Sequence, residues 1–126
     1  MIEVAAGIIR DGCGRILIAR RRPGKAQAGF WEFPGGKLEP GETAEECLKR
    51  ELLEEMGIGI RPTALFGVHE HDYGAFLIRL IAVEAEFAAG EITLTDHDDY
   101  HWAEAAELGG FAFAPADVPF VEKLKG

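Results

Sequence analysis

The chain has only two cysteines, Cys13 and Cys47. That is too few for a disulfide framework or a thiolate metal site, and Cys47 falls at a core-like position of a helical pattern. Both are therefore read as reduced thiols, as expected of a cytoplasmic protein. No apolar run reaches membrane-spanning length. The segment after Met1 is short, β-like and interrupted by Glu3, so neither a signal peptide nor a bilayer span is expected, and the chain reads as soluble and unprocessed. Basic residues are outnumbered: 13 Lys and Arg face 22 Asp and Glu, for a formal charge of −9. No basic helix face offsets that charge, which excludes polymeric DNA or RNA as a partner. A small anionic substrate stays compatible if a metal ion screens it. Repeats, low-complexity tracts and linkers are absent as well. With 126 residues, 48% of them apolar, one domain spanning 1–126 and working as a monomer or weak dimer is expected.

What is present alternates between strand and helix signals. Ile2 to Ile9 and Arg15 to Ala19 are strand-like and flank the turn-forming Asp11-Gly12-Cys13-Gly14, which predicts a hairpin. Arg20 to Lys25 reads as a basic loop leading to a short strand at Phe30-Trp31-Glu32-Phe33 and a glycine corner at Pro34-Gly35-Gly36. Thr43-Ala44-Glu45-Glu46 matches a capping box and Gly57 supplies a stop, so a helix is predicted from Ala44 to Met56. Thr63 to Glu70 and Phe76 to Phe87 read as strands joined at Asp72-Tyr73-Gly74. Asp96 to Asp99 reads as an acidic loop, Ala103 to Leu108 as a short helix, and Pro115 to Lys125 as a closing helix. The mixture predicts an α/β chain of the α+β kind, a central mixed β-sheet sandwiched between helices.

The chemistry concentrates on the Ala44–Met56 helix. At about 100° per residue from Ala44, Cys47 lies near −60°, Leu48 near +40° and Leu52 near +80°, which defines the inward face. Glu51 then falls near about −20°, Glu55 near +20° and Glu54 near −80°, within or beside that apolar stripe. Carboxylates crowded at a partly buried place repel one another and lose hydration, so they need cations to stay ionised. Mg²⁺ answers that need, because it prefers oxygen ligands and shares its shell with waters and substrate phosphates. Taken alone, the spacing is equally compatible with surface carboxylates paired to Arg50 and Lys49.

The surrounding segment narrows the choice. Gly36, Glu42, Arg50, Glu51, Leu52, Glu54, Glu55, Gly57 and Ile58 fill every specified position of the pattern G-x5-E-x7-R-E-U-x-E-E-x-G-U, where U is a bulky apolar residue. In this the chain resembles the Nudix hydrolases. The approach Trp31-Glu32-Phe33-Pro34-Gly35-Gly36-Lys37 and the tail Ala114-Pro115-Ala116-Asp117-Val118-Pro119 are similar to the MutT-type branch, which includes 8-oxo-dGTP and CTP pyrophosphohydrolases. The resemblance covers nearly the whole chain.

That resemblance implies a Nudix fold and a set of roles. Glu54 and Glu55 would be metal ligands, Glu51 a further ligand or the acceptor that orients the attacking water, and the carbonyl of Gly35 another ligand. Arg50 would orient the glutamates, a task suited to its bidentate fork. Glu42 would support the loop, bind metal or meet the helix dipole. Asp96, where relatives carry Glu, is the candidate for a late ligand or general base, with Asp98 as its substitute; hydrogen bonding in a solvated turn is the competing account and the slightly favoured one. His97 and His101 are read as surface or packing residues. Arg21 and Lys37 are candidate phosphate contacts, and Ala75 stands where relatives carry a further phosphate-contacting arginine. Asp117 is the specificity candidate: ionised, it would accept from a guanine-type N–H edge or a cytosine amino group, while as the residue before Val118-Pro119 it also suits a helix N-cap.

The implied activity is Mg²⁺-dependent hydrolysis, with Mn²⁺ as a substitute, of a nucleoside triphosphate to monophosphate and pyrophosphate. It would sanitise oxidised or excess nucleotides of the 8-oxo-dGTP or (d)CTP type. Hydrolysis of ADP-ribose or a dinucleoside polyphosphate, and a catalytically silent nucleotide-binding module, are the alternatives.

Overall fold

A computed structural model describes residues 1–126. In chain order the elements are β1 (Ile2–Arg10), β2 (Ile16–Arg21), β3 (Trp31–Glu32), β4 (Gly35–Lys37), α1 (Ala44–Met56), β5 (Gly59–Asp72), β6 (Leu77–Ala89), β7 (His97–Ala103), 3₁₀ turns at Ala105–Gly110 and Pro115–Asp117, and α2 (Val118–Lys125). All seven strands join one mixed sheet, its main path running β3-β2-β1-β6-β5, with β4 paired to β1 and β7 to β2. β1 and β6 are parallel, Ile2 opposite Ile78 through Arg10 opposite Glu86, while every other pairing between strands is antiparallel and a single parallel bridge joins Trp31 to Phe113.

Strand periodicity builds a core on each face of this sheet. Ala5, Ile9, Leu17, Ala19 and Val83 turn towards Cys47, Leu48, Leu52 and Met56 of α1. Their neighbours Ala6, Ile8, Ile16, Ile18 and Ala82 turn the other way, towards Phe33, Leu108, Phe113, Phe120 and Val121. The sheet is thus covered by α1 on one face and by α2 and the 3₁₀ turns on the other, as expected. Gly7 lies at the centre of β1, and a methyl there would come within 3.1 Å of Leu48 Cδ1, so its missing side chain lets α1 sit close.

The predicted helix is found residue for residue. Thr43 Oγ1 accepts from the Glu46 amide at 3.1 Å, and Glu46 Oε1 accepts from the Thr43 amide at 2.9 Å. Gly57 closes the helix in the left-handed conformation at φ 68°, its N–H reaching back to Leu53 O at 3.1 Å.

Tertiary pairing changes other boundaries. β5 extends to Gly59–Asp72, well beyond 63–70, because β6 pairs with it along its length through three register shifts. Arg20 and Arg21 belong to β2, not to a loop, and Gly35 and Gly36 form a strand against β1 in place of a simple corner. Most of the expected acidic loop is strand: His97 to Asp99 pair with Arg20 and Arg21 of β2. The expected Ala103–Leu108 helix is a 3₁₀ turn that starts two residues later, since Ala103 closes β7 against Ile16. The closing helix is split into a 3₁₀ turn and α2.

Candidate active site

The site is built around Gly35 and Gly36. β4 lies against β1 with Ala6 opposite Gly35 and Ala5 opposite Gly36, while α1 crosses the same region from the other side. A methyl on Gly36 would stand 2.6 Å from Glu51 Oε2, so the Glu51 carboxyl rests directly on the glycine backbone. Only a residue without Cβ admits that contact.

Arg50 holds this carboxylate in place. Its Nη1 donates to Glu51 Oε1 at 2.9 Å, its Nε and Nη2 grip Glu42 at 2.7 and 2.9 Å, and Nη2 also reaches Lys37 O at 3.2 Å. A planar five-donor fork can grip one carboxylate bidentately while reaching a second carboxylate and a carbonyl, a spread that the single point of a lysine ammonium does not match. Hydrogen bonding to Arg50, helped by the Glu39 amide, holds the Glu42 carboxyl down at about 2, and the same bond to Glu42 raises the Arg50 guanidinium in turn. Glu42 is therefore the anchor of Arg50 on the loop before α1. Cys47 lies beneath, its thiol donating to Gly36 O at 3.3 Å; burial, with the Glu42 charge, pushes it up to about 12.

The three helix carboxylates do not stay together. Glu51 and Glu55 face inward, whereas the Glu54 side chain is 61% exposed and touches only Arg50, at 3.4 Å. At the outer edge of the stripe, hydration of an ionised head wins over sharing a partly buried corner with two like charges. Asp96 takes its place: the Glu55 carboxyl lies close to those of both Glu51 and Asp96. Burial, then these two acidic neighbours, raises the Glu55 carboxyl far above the usual range. Burial also pushes Asp96 up, but hydrogen bonds from Glu55 and Lys25 outweigh it and leave Asp96 below its ordinary value. No three His, Cys, Asp or Glu side chains form a ready-made metal cage. The donor set nonetheless suits a hard divalent cation: crowded carboxylate oxygens short of positive charge, beside a backbone corner, where phosphates and water complete the shell. Asp98 does not contribute, because Arg20 Nε holds it at 2.7 Å.

On the other side of β4 opens a cavity of about 540 Å³, within the range of small-molecule sites. Val4, Ala6, Phe33, Leu80 and Ala116 line it, and Arg21, Glu32, Lys37 and Asp117 supply its polar groups. Gly35 and Gly36 line it too, so one glycine pair separates a nucleotide-sized cavity from the carboxylates. Asp117 is only 5% exposed, and its Oδ1 accepts from the Phe33 amide at 3.2 Å. It makes no side-chain cap for α2, correcting that expectation; its backbone is already helical, which turns the carboxyl away from the α2 amides. Burial, reinforced by the Glu32 charge, raises Asp117 well above the ordinary aspartate range, so the expected ionised acceptor is biased towards its neutral form. Arg21 sits at the cavity edge, with Nη1 3.3 Å from Glu32 Oε2 and Nε bonded to Ala26 O at 3.0 Å.

Three participants escaped the sequence reading. Glu32 lines the cavity and joins Arg21 to His97, whose Nε2 lies 2.7 Å from Glu32 Oε2. A carboxylate only accepts, so the protonated nitrogen is Nε2; Nδ1 is buried without a partner. His97 is a packing residue, one of the two readings expected of it, and its wholly buried ring is bonded to Glu32 as well. Lys25 holds Asp96 Oδ1 at 3.1 Å. Only Glu32, next to the glycine corner, carried a local signal; His97 and Lys25 depend on β2 pairing with β7.

A NUDIX domain model matches residues 5–123. The chain belongs to the NUDIX family. It is 39% identical over 123 residues to the CTP pyrophosphohydrolase of Escherichia coli strain K12, covering 97% of this chain and 90% of that protein. It is 36% identical over 124 residues to the 8-oxo-dGTP diphosphatase of the same strain, covering 98% and 96%. Among solved structures, the MutT protein from Methanosarcina mazei Go1 superposes with a TM-score of 0.87 at 28% identity, covering 98% of this chain and 92% of that one. The E. coli ORF135 protein gives 0.84 at 38% identity, covering 97% and 86%. The chain is a NUDIX hydrolase with the mixed-sheet fold of the MutT proteins. No helix is long and apolar enough to cross a membrane.

Proposed function

We propose that this hydrolase, working as a single domain, cleaves nucleoside triphosphates of the 8-oxo-dGTP or (d)CTP type to the monophosphate and pyrophosphate. The observation that carries this reading is the glycine pair shared by the carboxylate cluster and the cavity. A base seated in the cavity would have its phosphate chain within reach of those carboxylates. Relatives named for CTP and 8-oxo-dGTP, similar over nearly their whole length, support the substrate class.

In this mechanism Glu51, Glu55 and Asp96, with the Gly35 carbonyl, would hold Mg²⁺ or Mn²⁺, and Glu54 would join from the rim. The bound cation supplies charge neutralisation at the phosphate oxygens and acidifies water. Arg50 fixes Glu51 through Oε1, which leaves Oε2, over Gly36, to accept from the attacking water. Attack at the β-phosphorus then releases the nucleoside monophosphate. Arg21 and Lys37 face the cavity and steady the phosphate chain. Asp117 and the apolar walls take the base: Oδ1 already accepts from the Phe33 amide, which leaves Oδ2 to meet the base edge.

The test is a nucleotide panel with Mg²⁺ and product identification. Pyrophosphate release, lost with EDTA and restored by Mg²⁺, is expected. Orthophosphate release, or no turnover of any triphosphate, overturns the proposal.

A further inference from the structure

The inward carboxyls form a short chain with a cation at each end. Arg50 meets Glu51, Glu51 meets Glu55, Glu55 meets Asp96, and Asp96 Oδ1 meets Lys25 Nζ at 3.1 Å. The two cations differ in how firmly they are held. Arg50 is fixed by several partners, whereas Asp96 is the only ion-pair partner of Lys25. Of the other basic residues of this region, Arg20 is committed to Asp98 and Arg21 to Glu32 and Ala26 O, while Arg22 and Lys37 make no ion pair.

The backbone under Lys25 is fastened. The Arg22 amide donates to Asp96 O at 3.3 Å, the Lys25 amide to Arg22 O at 3.2 Å and the Gly29 amide to Arg21 O at 2.9 Å. Gln27 takes the left-handed conformation at φ 57° to close the turn. Ala26 and Gln27, just beyond Lys25, line the nucleotide cavity. The fastened loop thus carries a flexible four-carbon arm whose ammonium rests on Asp96, while the next two residues stand at the cavity wall.

We propose that Lys25 is a built-in counter-cation of the catalytic carboxylates, displaced from Asp96 by the divalent metal and transferred to a phosphate of the incoming nucleotide. The inference rests on the reading of Glu51, Glu55 and Asp96 as the metal-holding set. An ammonium and a divalent cation on one carboxylate repel each other, and the lysine is the partner that can move, because rotation of its side chain carries the charge away without disturbing the loop. A triphosphate arriving at the same corner offers it a stronger anion. Metal and lysine then compete when no nucleotide is present and cooperate when one is.

The test measures Mn²⁺ binding to the metal-free, nucleotide-free protein by electron paramagnetic resonance for wild type, Lys25→Met and Lys25→Arg. Binding of the α,β-methylene analogues of dGTP and CTP is then measured by calorimetry at saturating Mg²⁺. Removing the charge should tighten Mn²⁺ about tenfold, the scale for one unit charge a few ångströms away, and should weaken the analogues about tenfold. Lys25→Arg, which keeps the charge, should hold Mn²⁺ like wild type. Equal or weaker Mn²⁺ binding by Lys25→Met, or unchanged analogue binding, overturns the inference and leaves the reading of the carboxylates intact. Wild-type protein that takes up no Mn²⁺ even with an analogue overturns both.

Discussion

Replacing Gly36 by alanine tests the central geometric claim. The new methyl would collide with Glu51 Cδ and lie 2.6 Å from its Oε2, against 3.4 Å at the near limit of ordinary contact, so the carboxyl must retreat by about 1 Å. Arg50 and the packed α1 prevent the rest of the residue from following. A displacement close to 1 Å in a group that positions reactants costs about 10²-fold in rate. Gly36 has no positive φ, so alanine adds no backbone strain there. The expected result is therefore a kcat about 10²-fold lower with the melting temperature nearly unchanged. Gly35→Ala is the contrast: its methyl would collide with the Ala5 carbonyl and come within 3.0 Å of Ala6 Cα, forcing β4 off β1. That variant should lose stability first. Steady-state kinetics beside thermal melts of both variants would decide the matter. Gly36→Ala activity within threefold of wild type, in a protein that melts normally, refutes the placement of Glu51.

Asp117→Asn should stabilise the protein at neutral pH. Burial, with the Glu32 charge, raises the folded carboxyl above its unfolded value, so wild type loses stability as pH climbs past about 4, at about 1.4 kcal/mol per unit of separation. Asparagine escapes that loss, and its advantage in melting temperature should vanish near pH 3 and grow towards pH 7. Arg50→Lys keeps the charge but cannot hold Glu42 and Glu51 together, so activity should drop about 10- to 100-fold; kinetics within twofold of wild type would contradict that role. The two thiols should behave oppositely: exposed Cys13 should alkylate at pH 8, while Cys47, buried and pushed up to about 12, should react only after unfolding. Mass spectrometry that finds two labels on the native protein counts against the packing of α1.

What the sequence determined by itself was whatever depends on neighbours a few positions apart. The capping box at Thr43 and Glu46, the stop at Gly57 and the inward placement of Glu51 and Glu55 all follow from helical geometry, so α1 was readable without the rest of the molecule. The spacing from Gly36 to Ile58 carried the family for the same reason. Tertiary structure decided what depends on which distant strands meet. Parallel pairing of β1 with β6 leaves no local trace, and only the seating of β4 on β1 brings Gly36 beneath Glu51. The pairing of β2 with β7 joins His97 to Glu32 and Asp96 to Lys25 across more than 60 residues. It thereby put Asp96 into the cluster from which Glu54, favoured by the local pattern, turns away. Solvation made that choice: an ionised carboxyl at the edge of the apolar stripe keeps its water, and the inner place goes to the acid that arrives with a cation.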